Sequence, residues 1–190
     1  MQRLMRCSLP VAGGLLLAAC AGPVSLFDGY SLQGWQVVGD ADWSVAHREI
    51  EAGGTGDGFL ASEGRYGDFQ LRLEFWVEPS VNSGLFVRCK DRARIHPDTC
   101  YELNIWDDHP KQEARTGAIV FRFMPPLAKV DTVGKWNTYE VTAKGSLLEV
   151  RVNGITTAVL EDADPSPGFI ALQRWGQGRV KFRTIELKPL

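Results

Sequence analysis

Nine residues, FQLRLEFWV from Phe69 to Val77, alternate apolar and polar with a period of two. That spacing puts Phe69, Leu71, Leu73, Phe75 and Val77 on one face and Gln70, Arg72 and Glu74 on the other, the pattern of a half-buried antiparallel strand. Only Trp76 breaks the polar side. The same reading recurs along the chain. Residues 43–46 and 49–52 turn at His47-Arg48, and residues 136–143 resume the β pattern. Leu147 to Val152 and Ile155 to Leu160 flank Asn153-Gly154, a pair that favours a type I′ hairpin turn. Phe169 to Trp175 and residues 180–187 close the chain around Gly176-Gln177-Gly178. In the last strand the apolar phase slips between Phe182 and Ile185, which predicts a bulge near Arg183-Thr184. Residues 115–123 read as one more strand, stopped by Met124-Pro125-Pro126. Gly53 to Gly58 is a glycine-rich turn with no helix after it, so it is no phosphate cradle. No stretch past residue 19 carries a 3.6-residue period. About a dozen short strands punctuated by turn formers predict an all-β sandwich or jelly roll.

The first 20 residues obey other rules. Arg3 and Arg6 precede an apolar run from Val11 to Ala19, followed by Leu17-Ala18-Ala19-Cys20 at its end. A basic start, a short apolar stretch and small residues mark a secretory signal, too short to span a bilayer. Leu-Ala-Ala-Cys resembles a bacterial lipobox, in which the chain is cut before a Cys that then takes lipid. Residues 1–19 are therefore expected to leave, with Cys20 lipidated, 20–25 a linker and 26–190 one folded domain. The expected location is the cell envelope, on the periplasmic side, with Ala21 rather than Asp after the Cys leaning toward the outer membrane. Removal of Arg3 and Arg6 leaves 19 basic residues against 23 acidic, a net of −4. With no basic run or face, nucleic acid is excluded as a partner.

Of four cysteines, Cys7 departs with the signal and Cys20 goes to lipid, leaving Cys89 and Cys100. They bracket a polar loop holding His96-Pro97, between the apolar runs LFVRC and CYELNIW. In an oxidising compartment two cysteines flanking a hairpin loop predict a disulfide. In the second run Tyr101, Leu103 and Ile105 share one face, and Glu102, Asn104 and Trp106 the other. A carboxylate, an amide and an indole side by side form the most site-like surface in the sequence.

Several phrases occur together in order: Leu26-Phe27-Asp28-Gly29 through Gly34-Trp35, Tyr66-Gly67-Asp68-Phe69, Asn82-Ser83-Gly84-Leu85-Phe86-Val87-Arg88, Tyr101-Glu102, Gly134-Lys135-Trp136-Asn137, Val152-Asn153-Gly154, Ala171-Leu172-Gln173 and Phe182-Arg183. The set resembles the secreted bacterial family called 3-keto-disaccharide hydrolases or 3-keto-glucoside lyase/hydratase domains, over roughly residues 26–190. The resemblance implies a concanavalin A-like jelly roll and a carbohydrate substrate. It also implies a chemistry in which a keto group at C3 acidifies the C2 hydrogen, a base removes it, the C1 substituent leaves and water adds back.

On that reading Glu102 is the base and Arg88 stabilises the oxyanion. Asn82, Asn104 and Gln173 hold sugar hydroxyls, and Trp106 or Trp175 stacks on the ring. A divalent metal is a further possibility, with Asp107 and His109 as candidate ligands. The alternative to a site role for Glu102 is a simple ion pair with Arg88 across the hairpin. Many members carry a His after Leu-Gln, in a stretch like LQDHG, where this chain has Leu172-Gln173-Arg174-Trp175-Gly176. That departure keeps open a second reading, a non-catalytic carbohydrate-binding lipoprotein of the envelope.

Overall fold

The computed structural model describes residues 22–122 and 125–190. The expected signal sequence and the expected lipidation site Cys20 lie outside the described residues. Thirteen strands follow in order: β1 (Val24–Ser25), β2 (Trp35–Gly39), β3 (Asp42–Ala46), β4 (Glu49–Gly53), β5 (Gly58–Ser62), β6 (Phe69–Val77), β7 (Asn82–Cys89), β8 (Tyr101–Ile105), β9 (Asn137–Lys144), β10 (Leu147–Val152), β11 (Ile155–Leu160), β12 (Phe169–Trp175) and β13 (Val180–Pro189). The one helical element among the described residues is a 3-10 turn, Gln112–Ala114.

The strands form two antiparallel sheets. One runs β11-β10-β9-β6-β13-β4-β3, with β1 also paired to β13; the other runs β2-β5-β12-β7-β8. Strand β13 pairs with β4 through Val180, Lys181 and Phe182, and with β1 through Glu186 and Leu187. Between these the register against β6 shifts from Arg183 to Glu186, with Thr184 at φ 51°. The expected bulge thus lets one strand edge serve two partners. Asn153 and Gly154 both have positive φ, as a type I′ turn requires.

Between the sheets lies the main core, to which β6 contributes all five residues of its apolar phase. Leu85, Val87, Leu103, Ile105, Ile170 and Leu172 face it from the five-stranded sheet. That sheet is covered on its other face too. Phe59, Ala61, Phe86, Phe169 and Ala171 form a second cluster with Cys89 and Cys100. Such two-sided burial removes the alternation that marks a strand in sequence.

Two expectations change. Residues 115–123 form no strand among their described members. Gly117 (φ 91°) and Phe121 (φ 59°) turn the backbone, and a single bridge, Leu103 to Ile119, remains. The segment still covers the free edge of β8, with Asn104 and Val120 amides donating to the Ala118 and Glu102 carbonyls. Within the expected 20–25 linker, Val24–Ser25 is the edge strand β1.

Candidate functional site

Strand register sets the side chains on the outer face of the five-stranded sheet. Gly84 of β7 pairs with Gln173 of β12 and with Asn104 of β8, and Gln173 pairs with Phe59 of β5. One residue row therefore reads Phe59, Gln173, Gly84, Asn104. The next reads Ala61, Ala171, Phe86, Glu102, since Phe86 pairs with both Ala171 and Glu102. On the far side Trp175 pairs with Asn82. Gly84 leaves the floor open between the two amides: a Cβ there would come within 3.3 Å of Gln173 Oε1 and of the Phe86 ring.

The resulting cavity, of about 270 Å³, is lined by Asn82, Glu102, Asn104, Trp106, Gln173 and Trp175. All six are sequence candidates, and the fold brings them together. Phe59 and Phe86 form an apolar floor, edge to face with centroids 5.2 Å apart. His96 and Pro97 from the β7–β8 loop and His109, Val120 and Phe121 from the segment beyond β8 complete the walls. These wall residues carry no periodic signal. They reach the cavity only through loop closure, and His96 borders it as the exposed loop residue that the sequence suggests, its side chain 54% exposed.

Glu102 is 7% exposed, and no ion pair or side-chain hydrogen bond to its carboxylate occurs among the described residues. Burial alone pushes its pKa up to about 7, because an apolar surrounding disfavours the charged form. Two neighbouring acceptors are also free: the buried Asn104 Oδ1 and Gln173 Oε1 have no hydrogen-bond partner. Asn104 is held by its other end, Nδ2 donating to the Ala114 carbonyl. Buried polar atoms without partners are rare in folded proteins. Two of them beside an acid titrating near neutrality, all facing one cavity, mark a place built for a polar molecule.

Arg88 is not among them. It is the extra residue of a bulge in β7, with φ 54° where the pairing to β12 shifts between Phe169 and Ala171. Left-handed backbone turns its side chain off the outer face, so that Cys89 takes the next outward place. The guanidinium is buried at the sheet end, donating to the Gly145 and Asp164 carbonyls at 2.7 Å and to Asp68 Oδ1 at 3.1 Å. It therefore neither pairs with Glu102 nor lines its cavity. The oxyanion role expected for it is replaced by a structural one, clamping the β9–β10 turn and the loop before β12.

The Asp107–His109 pair does not converge either. Asp107 Oδ1 accepts from the Thr116 and Thr132 hydroxyls at 2.6 and 2.9 Å. Its Oδ2 accepts from the Val133 amide at 3.3 Å. With its lone pairs taken, Asp107 ties two loops to the end of β8. His109 bonds to Lys111 through Nδ1 and packs edge to face on Trp106, with ring centroids 4.5 Å apart. No cluster of three or more His, Cys, Asp or Glu suited to a metal occurs among the described residues. The predicted Cys89–Cys100 disulfide is present.

A family model for the 3-keto-alpha-glucoside-1,2-lyase-like domain matches residues 22–188. The chain belongs to that family. Among solved structures, a protein of Parabacteroides distasonis ATCC 8503 provisionally named a glycosyl hydrolase superposes with a TM-score of 0.76 at 23% identity, covering 90% of this chain and 100% of that one. The carbohydrate-binding module CBM66 from Bacillus subtilis superposes with a TM-score of 0.64 at 17% identity, covering 82% and 95%. At these identities the likeness establishes the fold, a lectin-like jelly roll. No curated protein matches the chain.

Proposed function

We propose that this 3-keto-glucoside lyase-like domain cleaves 3-keto-glucosides or 3-keto-disaccharides, with Glu102 as the base that takes the C2 proton. One observation carries the reading: Glu102 is a buried, unpartnered carboxylate with a pKa near 7, facing a cavity with two free amide oxygens. A base of that basicity is half ionised at neutral pH and strong enough to attack a carbon acid beside a ketone. As the C2–H bond breaks, its electrons delocalise onto O3. They then form the C1=C2 bond as the C1–O bond breaks, and the leaving group takes a proton. Addition of water across C1=C2 returns a proton from Glu102 to C2, so the net change is hydrolysis.

Asn104 Oδ1 and Gln173 Oε1 accept from sugar hydroxyls, and Asn82 and the Gln173 amide nitrogen supply donors. Trp106 and Trp175 offer faces to the pyranose ring. Incubation with 3-keto-sucrose or 3-keto-trehalose tests the reading. Release of 3-keto-glucose is expected, and Glu102→Gln should reduce kcat by about 10²–10⁴-fold, as loss of a general base does. Full turnover by Glu102→Gln would remove the assignment.

A second reading rests on Trp175. It stands where many members have a His and is 44% exposed, as a sugar-stacking platform would be. On that reading the domain binds carbohydrate without cleaving it. Sugar affinity with no turnover on any 3-keto-glucoside would favour it. In either case we propose an envelope lipoprotein anchored through Cys20. The Cys89–Cys100 bridge supports a compartment that is oxidising.

A further inference from the structure

A second cavity, of about 430 Å³, adjoins that of Glu102 along the same sheet face. The two share Phe59, Ile95, His96 and Trp175 as their common boundary. A substrate seated with its reacting ring beside Glu102 and its C1 substituent in the second cavity crosses that boundary at the bond to be broken. Of the four boundary residues only His96 can transfer a proton. His109, the other imidazole of the first cavity, does not border the second.

His96 is held for such a task. Its Nδ1 lies 2.7 Å from Asp98 Oδ1 and 3.3 Å from the Asp98 amide nitrogen, the shorter contact being to the carboxylate, while Nε2 has no partner among the described residues. Asp98 is steadied in turn by Arg94 through its other oxygen. The loop itself is pinned at several points. The disulfide joins its ends, Arg92 donates to the Ser62 and Glu63 carbonyls at 2.6 and 2.9 Å, and the Thr99 hydroxyl donates to the Arg94 carbonyl at 2.6 Å. An imidazole whose Nδ1 is fixed by a carboxylate presents Nε2 in one orientation, the arrangement by which acid–base histidines are aimed.

We propose that His96, positioned by Asp98, is the acid that protonates the departing C1 oxygen, and that the second cavity receives the leaving group. The inference rests on the function proposed above. In the forward step Glu102 takes the C2 proton, the C1–O electron pair passes to the leaving oxygen, and that oxygen takes the Nε2 proton of His96. In the hydration step water gives a proton to Nε2 as its oxygen bonds to C1, and Glu102 returns its proton to C2. Both side chains end as they began.

Leaving-group chemistry separates this role from a structural one. With the mature chain and its disulfide intact, methyl 3-keto-α-glucoside needs a proton to depart and the 4-nitrophenyl analogue does not. His96→Ala should lower kcat on the methyl glycoside by about 10²-fold or more and on the 4-nitrophenyl glycoside by less than about tenfold. Asp98→Asn should show the same asymmetry, smaller in size. Deuterium exchange at C2 of 3-keto-glucose should persist in both variants. Equal losses on the two glycosides, or no loss on the methyl glycoside, would overturn the role of His96 while leaving Glu102 in place. A wild-type protein that cleaves neither would overturn the reading on which the proposal stands, and the proposal with it.

Discussion

Glu102 concentrates the conflict between stability and chemistry in one side chain. Its folded pKa, about 7, lies above the ordinary 4.5, so the folded state holds its proton more tightly than the unfolded chain does. The contribution is fully present below pH 4.5 and is lost as pH rises through 7. Ionising this buried group costs roughly 3 kcal/mol at pH 8. Glu102→Gln should therefore unfold at higher denaturant concentration than wild type at pH 8 and at nearly the same concentration at pH 4. Equal midpoints at pH 8 would mean that the carboxylate is hydrated. Activity runs the other way, because only the ionised form is a base. The value of kcat/KM should fall about tenfold per pH unit below 7. At the opposite extreme, Arg88 is a buried cation serving backbone carbonyls. Arg88→Ala should cost about 2–4 kcal/mol, since three hydrogen bonds vanish and buried acceptors are left bare. The kcat of the folded fraction should stay within about threefold, a range that loss of an oxyanion donor would far exceed.

Strand β6 was legible from its alternation and β7, β8 and β12 from their apolar runs, whereas the short β2 and β5 were not. Phe69–Val77 shows its alternation because β6 has the core on one side and water on the other. Val38 and Phe59 belong to β2 and β5, which escaped the pattern. In β5 all five residues of GFLAS are buried, so no polar phase marks the strand. Glu102, Asn104 and Trp106 could be assigned to one face because period two holds throughout β8. Arg88 obeyed the same arithmetic until a bulge broke it, and the bulge depends on a close approach that the sequence does not declare. A Cβ on Gly168 would lie 2.2 Å from the Arg88 carbonyl carbon. The loop between β7 and β8 was legible only in its closure. Cys89 and Cys100 are separated by 11 positions, and closing a loop of that size adds about 2–3 kcal/mol in the chain-entropy model. Reduction should lower the unfolding free energy by that amount and lower kcat while leaving C2 exchange measurable. Unchanged kcat after verified reduction would mean that the loop holds its shape without the bridge.

At the scale of the molecule, both sheets build the core and the five-stranded sheet carries the site. The eight-stranded sheet places its apolar phase in the core and dresses its outer face with ion pairs such as Lys181 with Glu49 and Arg183 with Glu74. Half-buried pairs at a sheet surface of that kind add little individually. The inner strands of the five-stranded sheet are buried on both faces, so the outer layer can hold aromatics and unpartnered polar groups without dissolving the core. The lipid anchor proposed at Cys20 would hold the domain at a membrane through its N-terminus. Cys20→Ser should move it from the membrane fraction to the soluble fraction without changing kcat. Retention in the membrane would contradict the anchor.

The account stands or falls on whether Glu102 removes the C2 proton. The direct measurement is proton NMR of 3-keto-glucose in deuterium oxide with wild-type protein and with Glu102→Gln, following loss of the C2–H signal. The account predicts exchange well above the protein-free rate for wild type and exchange at that background rate for Glu102→Gln. Exchange by Glu102→Gln as fast as by wild type would contradict it.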